Sequence, residues 1–381
     1  MTRTRFCATA IALAFSAVAT AQDAPSDGYD VIYAAAMPAP EATRAVLTEI
    51  DKTADRVIAV GDYGVIVTRE RGADEWQQAD VPSSVFLTSI DFADDTNGWA
   101  VGHHGVILHT TDGGHTWHRQ LDGFQYIELQ ISYFESLVAD IEESLADDEL
   151  DDDLRSELEF QLDDALFRLD NATFAKEEGP TKPFLDVHVA TNGTIWVTGA
   201  YGALLQSSDA GKTWQVRDAA VENPDGYHLN AIVSDNDTLF MVGEAGLLFR
   251  SSDNGVNWDT LESPYYGSLF GAHVDQQQRL WVFGLRGNIF VSEDKGDNFT
   301  QLSLSDAVNI NAAIDAPNDG LYFAGNAGVV AYLNAAGELI EQTHASGAVL
   351  TDLIVDEDGS LTLVGQRGVL TMPSSVLSEK E

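Results

Sequence analysis

Cysteine is almost absent from this 381-residue chain: Cys7 is the only one. It lies inside an N-terminal apolar run, and no lipobox precedes it. Once such a leader is removed there is no thiol left, which excludes a disulfide framework, thiol chemistry and a cysteine-borne lipid anchor. Basic residues are also scarce, with 20 Lys and Arg against 61 Asp and Glu and a formal charge of -41. A field of that sign opposes phosphate backbones and anionic membranes, so no nucleic-acid partner is expected. The acidity reads first as solubility, of the kind useful in a salty habitat. Past residue 21 no segment approaches the roughly 18 consecutive apolar residues of a spanning helix, so no direct membrane insertion is expected.

The N-terminus carries Arg3 and Arg5, an apolar run over residues 7–18, and Ala19-Thr20-Ala21 before Gln22. These are the three regions of a cleavable secretory signal peptide, assigned to residues 1–21. The mature chain, residues 22–381, is then exported, and in a Gram-negative host its destination is the periplasm.

What is present in abundance is repetition. The stretch VGHHGVILHTTDGGHTW, residues 101–117, recurs in recognisable copies along the chain. Its first half places Gly-x-x-Gly between two apolar runs, a tight turn between antiparallel strands. That turn starts at Gly61, Gly102, Gly199, Gly243, Gly284, Gly325 and Gly365, at spacings of 41, 97, 44, 41, 41 and 40 residues. The second half is an Asp turn whose carboxylate accepts backbone hydrogen bonds and whose Trp anchors the next strand. The pairs are Asp112 with Trp117, Asp209 with Trp214, Asp253 with Trp258, and Asp294 with Phe299, with a degraded copy near Trp76. All are assigned structural roles, with the tryptophans buried. A period near 41 with about four short strands per unit predicts an all-β, seven-bladed β-propeller in one domain. The last unit holds only about three strands, and the segment from Tyr29 to Ala36 is the candidate outer strand that closes the ring.

One spacing is too long by about 56 residues, and the excess falls over residues 122–182. There Phe124, Ile127, Ile131, Phe134, Val138, Ile141 and Leu145 trace one helical face, and Leu150, Leu154, Leu158, Leu162, Leu166 and Leu169 a second. The reading is an inserted α-helical hairpin with the two stripes facing each other and Asp147-Asp148-Glu149 capping the second helix. The insertion holds 19 acidic and 4 basic residues, a field that repels acidic partners and steers basic ones. A propeller needs no such insertion to fold, so it is assigned to partner specificity.

In a propeller the Gly-x-x-Gly turns share a face with the blade connections, and the Asp turns lie opposite. One face therefore collects Tyr63, His103, His104, Tyr201, Arg286 and Arg367 from turns, with Tyr227, His228, Tyr265 and Tyr266 from connections. These are residue types that anchor protein interfaces. Adjacent histidines on a tight turn point apart, and no further ligand spacing supports a metal at His103 and His104. One carboxylate per Asp turn is far short of a calcium shell, and the repeated glycines precede strands rather than a helix, which argues against a phosphate site. No metal, no cofactor and no catalytic residue is assigned.

The Asp turn is also the Asp box of propeller sialidases, which resemble the chain in that turn alone. Their chemistry needs an arginine cluster, a Tyr–Glu pair and an Asp acid, and no arginine-bearing motif precedes the first box here. A glycosidase or lectin is the alternative function. The two-part motif over residues 89–117, S-I-D-F through G-W-A-V-G-x-x-G-V-I-L to T-x-D-G-G-x-T-W, resembles the photosystem II stability/assembly factor family of BNR-repeat propellers over residues 40–372. The insertion and the junction over residues 179–188 resemble its non-photosynthetic bacterial branch, found beside resistance-nodulation-division transporters. The resemblance implies a non-enzymatic lumenal or periplasmic propeller that binds membrane-protein intermediates. It also implies an arginine-rich face, of which Arg286 and Arg367 alone remain, so the expected partner is an inner-membrane transporter or another envelope membrane protein. A monomer is expected.

Overall fold

The computed structural model describes residues 30–373 and 375. The signal peptide assigned to residues 1–21 lies outside them. Seven antiparallel sheets follow one another along the chain, six of four strands and the last of three. Their inner strands are Leu47–Lys52, Leu87–Phe92, Phe184–Val189, Leu229–Asp235, Leu269–Val274, Ile310–Ala316 and Leu350–Val355. Each packs on the next, and the seventh packs on the first, closing a seven-bladed ring. Within each blade the second strand is mainly apolar and buried almost throughout, as in Leu239-Phe240-Met241-Val242, because both of its faces are covered by neighbouring sheets.

A β-bulge follows the first residue of every inner strand. Where the skipped residue is Thr or Asn, its side chain is turned toward the next blade. Thr48 thereby donates to the Leu87 carbonyl at 3.0 Å, Thr88 to Phe184 at 2.9 Å, Asn230 to Leu269 at 2.7 Å and Asn311 to Leu350 at 2.6 Å. Thr351 donates to Leu47 at 2.9 Å and joins the seventh blade to the first. The same closure carries a buried ion pair, Arg69 with Asp356, and a hydrogen bond from Arg69 to Thr362 at 3.2 Å.

Among the described residues no strand is shared across the closure, and the expected role of residues 29–36 is corrected. Residues 31–34 form a turn, and Ile32 is buried between the first and second blades against Val81, Val85 and Trp117. Ser84 donates to the Val31 carbonyl at 2.8 Å and Arg119 to the Ile32 carbonyl at 2.9 Å. The segment is a plug rather than an outer strand. The seventh blade is left with three strands among the described residues.

The insertion forms α1, Gly123–Leu145, and α2, Asp152–Glu178. Asp122 caps α1 through a capping box with Gln125. The cap of α2 is Asp151, which accepts from the Leu154 N–H at 2.9 Å, not the acidic turn at 147–149. The interhelical core also differs from expectation on α2. Phe134 and Ile141 meet Leu158, Leu162, Ala165 and Leu169, while Leu154 and Leu166 are exposed. Phe124, expected on the α1 stripe, is exposed as well.

Candidate protein-binding site

The repeated turns set the character of one face. In Gly61-Asp62-Tyr63-Gly64 the second glycine has φ 69°, but the first is extended, at φ 178°. A Cβ on Gly61 would lie 2.1 Å from the Val46 carbonyl oxygen, so that glycine permits a close approach of the blade connection. The left-handed residue before the second glycine carries a full side chain at Tyr63, His104, Tyr201 and Arg286, with φ between 55° and 60°. Such backbone stores strain in the turn and thrusts the side chain outward. Tyr63 is 72% exposed and Tyr201 59%, and Tyr266 on a blade connection reaches 92%.

The remaining candidates divide. His103 packs at a tilt against Phe86, 5.2 Å between ring centres, and burial lowers its pKa. His104 is held by the Pro180 carbonyl at 2.7 Å. His228 packs edge-on against Tyr201 at 5.0 Å and approaches Glu244 at 3.4 Å. Tyr265 is half-buried against Phe290, and Tyr227 is half-buried with its carbonyl bound by Asn223. Arg286 and Arg367 are exposed on the fifth and seventh blades, with a blade between them. The ten residues thus share a face without forming one cluster. Tyr201 and His228 do meet, and Lys182 places its ammonium 5.7 Å over the Tyr201 ring.

That grouping lies at the root of the hairpin, where several residues carry no sequence signal of their own. Asp218 is buried, accepts from the Leu204 N–H at 2.8 Å, and receives Tyr126 at 3.2 Å and Gln130 at 2.7 Å from α1. Burial raises the pKa of Asp218 and raises that of Tyr126 strongly. Arg168 on α2 binds Asp164 at 2.7 Å and the Asn223 carbonyl at 2.7 Å. The hairpin is therefore fixed to the third blade and its connection to the fourth. Burial lowers the pKa of Lys182. Between α2 and that connection runs an open cavity of about 350 Å³, walled by Phe167, Phe174, Tyr201 and residues 224–226.

The central channel is a different environment. Its cavity of about 430 Å³ is lined by Glu49, Asp51, Asp91, Asp186 and Asp352, with no arginine or lysine. Four of these carboxylates are committed to the neighbouring blade: Asp352 accepts from Ile50 N–H at 3.0 Å, Glu49 from Ile90 at 2.6 Å, Asp91 from Val189 at 2.7 Å and Asp186 from Ile232 at 2.8 Å. Burial pushes Asp51 up to about 8, Asp352 to about 7, Asp186 to about 6 and Glu49 well above the usual carboxylate range. An arginine cluster for an acidic sugar is missing from this lining. Among the described residues no group of three or more His, Cys, Asp or Glu is placed to hold a metal ion.

The Asp turns repeat one geometry four times. Asp112 accepts from the Thr116 N–H at 2.9 Å and the Thr116 hydroxyl at 2.6 Å, while Thr110 links Asp112 to the Gly114 N–H. Asp209, Asp253 and Asp294 do the same with Thr213, Asn257 and Asn298. Trp117 and Trp214 are buried, whereas Trp258 and Phe299 are only half-buried, a correction to the expectation for Trp258.

Residues 68–139 and 176–265 match the family described as photosynthesis system II assembly factor YCF48. Over these two stretches, a little under half of its length, the chain is photosystem II assembly factor-like BNR-repeat sequence. Between the two matched stretches lie the end of α1 and most of α2. Over 49 residues the chain is 47% identical to the chloroplastic photosystem II stability/assembly factor HCF136 of Cyanidioschyzon merolae, a stretch spanning 12% of this chain and 11% of that relative. The solved structure of YCF48 bound to D1 peptide superposes with a TM-score of 0.57 at 16% identity, covering 87% of this chain and 92% of that one. YCF48 from Cyanidioschyzon merolae gives 0.56 at 14% identity over 88% and 97%. The WD40 propeller domain of Doa1 gives 0.58 at 7% identity over 90% and 95%, so the propeller likeness extends beyond the family.

Proposed function

We propose that this chain is a non-catalytic scaffold, exported to the periplasm by a cleavable signal peptide, that binds an extramembrane segment of an inner-membrane protein through its turn face. The observation that carries the reading is the hairpin root, where Tyr201, packed on His228, and Lys182 line an open cavity while the hairpin is anchored by the buried Asp218 network. A YCF48 structure holds a D1 peptide, so the same fold in a relative receives a segment of another protein. With only a few exposed arginines on the turn face among the described residues, a transporter or other envelope protein is a better match here than a photosystem client. The acidic channel, bonded across blade seams and free of arginine, offers no site for the carboxylate of an acidic sugar.

Affinity capture from detergent-solubilised envelope membranes with the tagged mature chain tests this. A reproducible inner-membrane partner whose yield drops in Tyr201→Ala/Tyr266→Ala is the expected result. Turnover of a sialoside by the purified chain, lost in a channel carboxylate variant, would replace the scaffold with a hydrolase.

A further inference from the structure

The outer side of α2 carries an apolar stripe that nothing among the described residues covers. Phe160, Phe167 and Phe174 recur every seventh residue and so lie along one side of the helix. They are 63%, 62% and 58% exposed, although a phenylalanine is among the residues most often buried. The helix's own core contacts come from a different side, through Leu158, Leu162, Ala165 and Leu169. From Phe160 to Phe174 the stripe runs about 21 Å at the rise of an α-helix. Its last two rings form one wall of the cavity at the hairpin root, opposite Tyr201 and residues 224–226.

Two further observations say what would lie there. The first is charge. Nine residues of α2 are acidic and three are basic. All three bases are already engaged: Arg155 with the Leu145 and Asp147 carbonyls, Arg168 with Asp164, and Lys176 with Glu128. The stripe is thus flanked by acids with few cations left to neutralise them. The second is an orphaned acceptor. Gln130 is 6% exposed and lines the cavity; its Nε2 donates to Tyr126 and Asp218, and its Oε1 has no partner. A buried amide oxygen left unpaired is costly and calls for a donor.

We infer that α2 and the blade connection over residues 224–226 form a groove for a basic amphipathic segment of a protein partner, with apolar anchors on the phenylalanine stripe, Lys or Arg side chains toward the flanking acids, and an N–H donor reaching Gln130 Oε1. This rests on the scaffold reading and specifies where and by what chemistry the partner docks. Lys182, over Tyr201, marks the end of the groove where a basic group is unwelcome, so the basic residues align along α2.

The probe is a synthetic amphipathic helix of about five turns with leucines on one side and lysines on the other, titrated against the whole mature chain by fluorescence anisotropy. The wild-type chain is expected to bind it in a salt-sensitive manner. Phe167→Ala/Phe174→Ala removes two exposed rings, keeps every charge, and is expected to weaken binding about tenfold or more. Because both rings are exposed, the variant is expected to melt as wild type does. Binding equal in the variant, or equal for a scrambled leucine/lysine peptide, would reduce the effect to bulk charge and overturn the groove. So would Phe-dependent self-association, which would make the occupant a second copy, or Phe-dependent binding to phosphatidylglycerol vesicles, which would make it a lipid surface. Membrane-protein capture that survives Phe167→Ala/Phe174→Ala undiminished would also overturn the groove and leave the scaffold reading standing. Peptide binding that depends on the phenylalanines, with no membrane partner captured by wild type, would contradict the scaffold reading alone.

Discussion

Asp112 illustrates how a residue that looks catalytic is used for structure. Burial pushes its pKa up, yet hydrogen bonds from Thr116, Thr110 and the His115 N–H outweigh that and hold it below the usual carboxylate range. Asp112→Ala frees those donors and is expected to cost about 1 to 2 kcal/mol in denaturant unfolding, with partner capture unchanged. Carboxylates in the channel behave oppositely. Asp51, Asp186 and Asp352 have folded pKa values of about 8, 6 and 7, all above the unfolded value near 4. The folded chain therefore holds protons that the unfolded chain has lost, and this stabilisation, full below about pH 4, disappears as pH rises through 6 to 8. Burial lowers the pKa of His188, but Asp91 raises it further, so its contribution fades in the same direction. The melting temperature is expected to fall by several degrees from pH 5 to pH 8. Asp352→Asn keeps an acceptor for the Ile50 N–H and is expected to shallow that fall, even in high salt that screens surface repulsion. An unchanged slope would remove the channel from the explanation.

At the scale of elements, the hairpin is part rigid root and part projection. Tyr126, Leu129 and Tyr133 pack into the core of the second and third blades, and Asp218 depends on α1 for two of its donors. Replacing the whole insertion with a short loop therefore strips a buried carboxylate of partners, and it is expected to destabilise the propeller by about 3 kcal/mol or more. Trimming only residues 138–161 should leave the melting temperature of the propeller close to wild type while shortening the phenylalanine stripe. Equal losses from both deletions would contradict this division. The helices, their apolar stripes and the blade period were legible in the sequence because spacing alone encodes them. The side of α2 that faces outward was not, since leucines at 154 and 166 mimic the buried series and obscure the seven-residue spacing of the phenylalanines. Nor could Asp218 be found, because its role comes from helix docking and not from its neighbours along the chain.

For the molecule as a whole, the ring closes among the described residues without an exchanged strand. The unit count announced seven blades, but residues 31–34 proved to be a plug between blades one and two, where burial of Ile32 and capture of its carbonyl by Arg119 outweigh strand pairing. The closure rests on Thr351, Asp352 and the Arg69–Asp356 pair. Arg69→Ala leaves Asp356 without its cation in a site where both side chains are mostly buried, and is expected to cost about 3 kcal/mol by chemical denaturation. A loss no larger than that of an exposed pair such as Arg44–Glu41 would mean that the latch adds little.

The central claim is that the turn face, beside the hairpin, is where a protein partner binds, and that the Asp-turn face is structural. Site-specific photocrosslinking in intact cells separates the two faces directly. A crosslinker at Tyr201 or Tyr266 reports on the turn face, and one at Val256, 66% exposed on an Asp turn, reports on the opposite side. The account predicts a discrete membrane-protein adduct from Tyr201 and Tyr266 and none from Val256. Adducts from Val256 alone would contradict it.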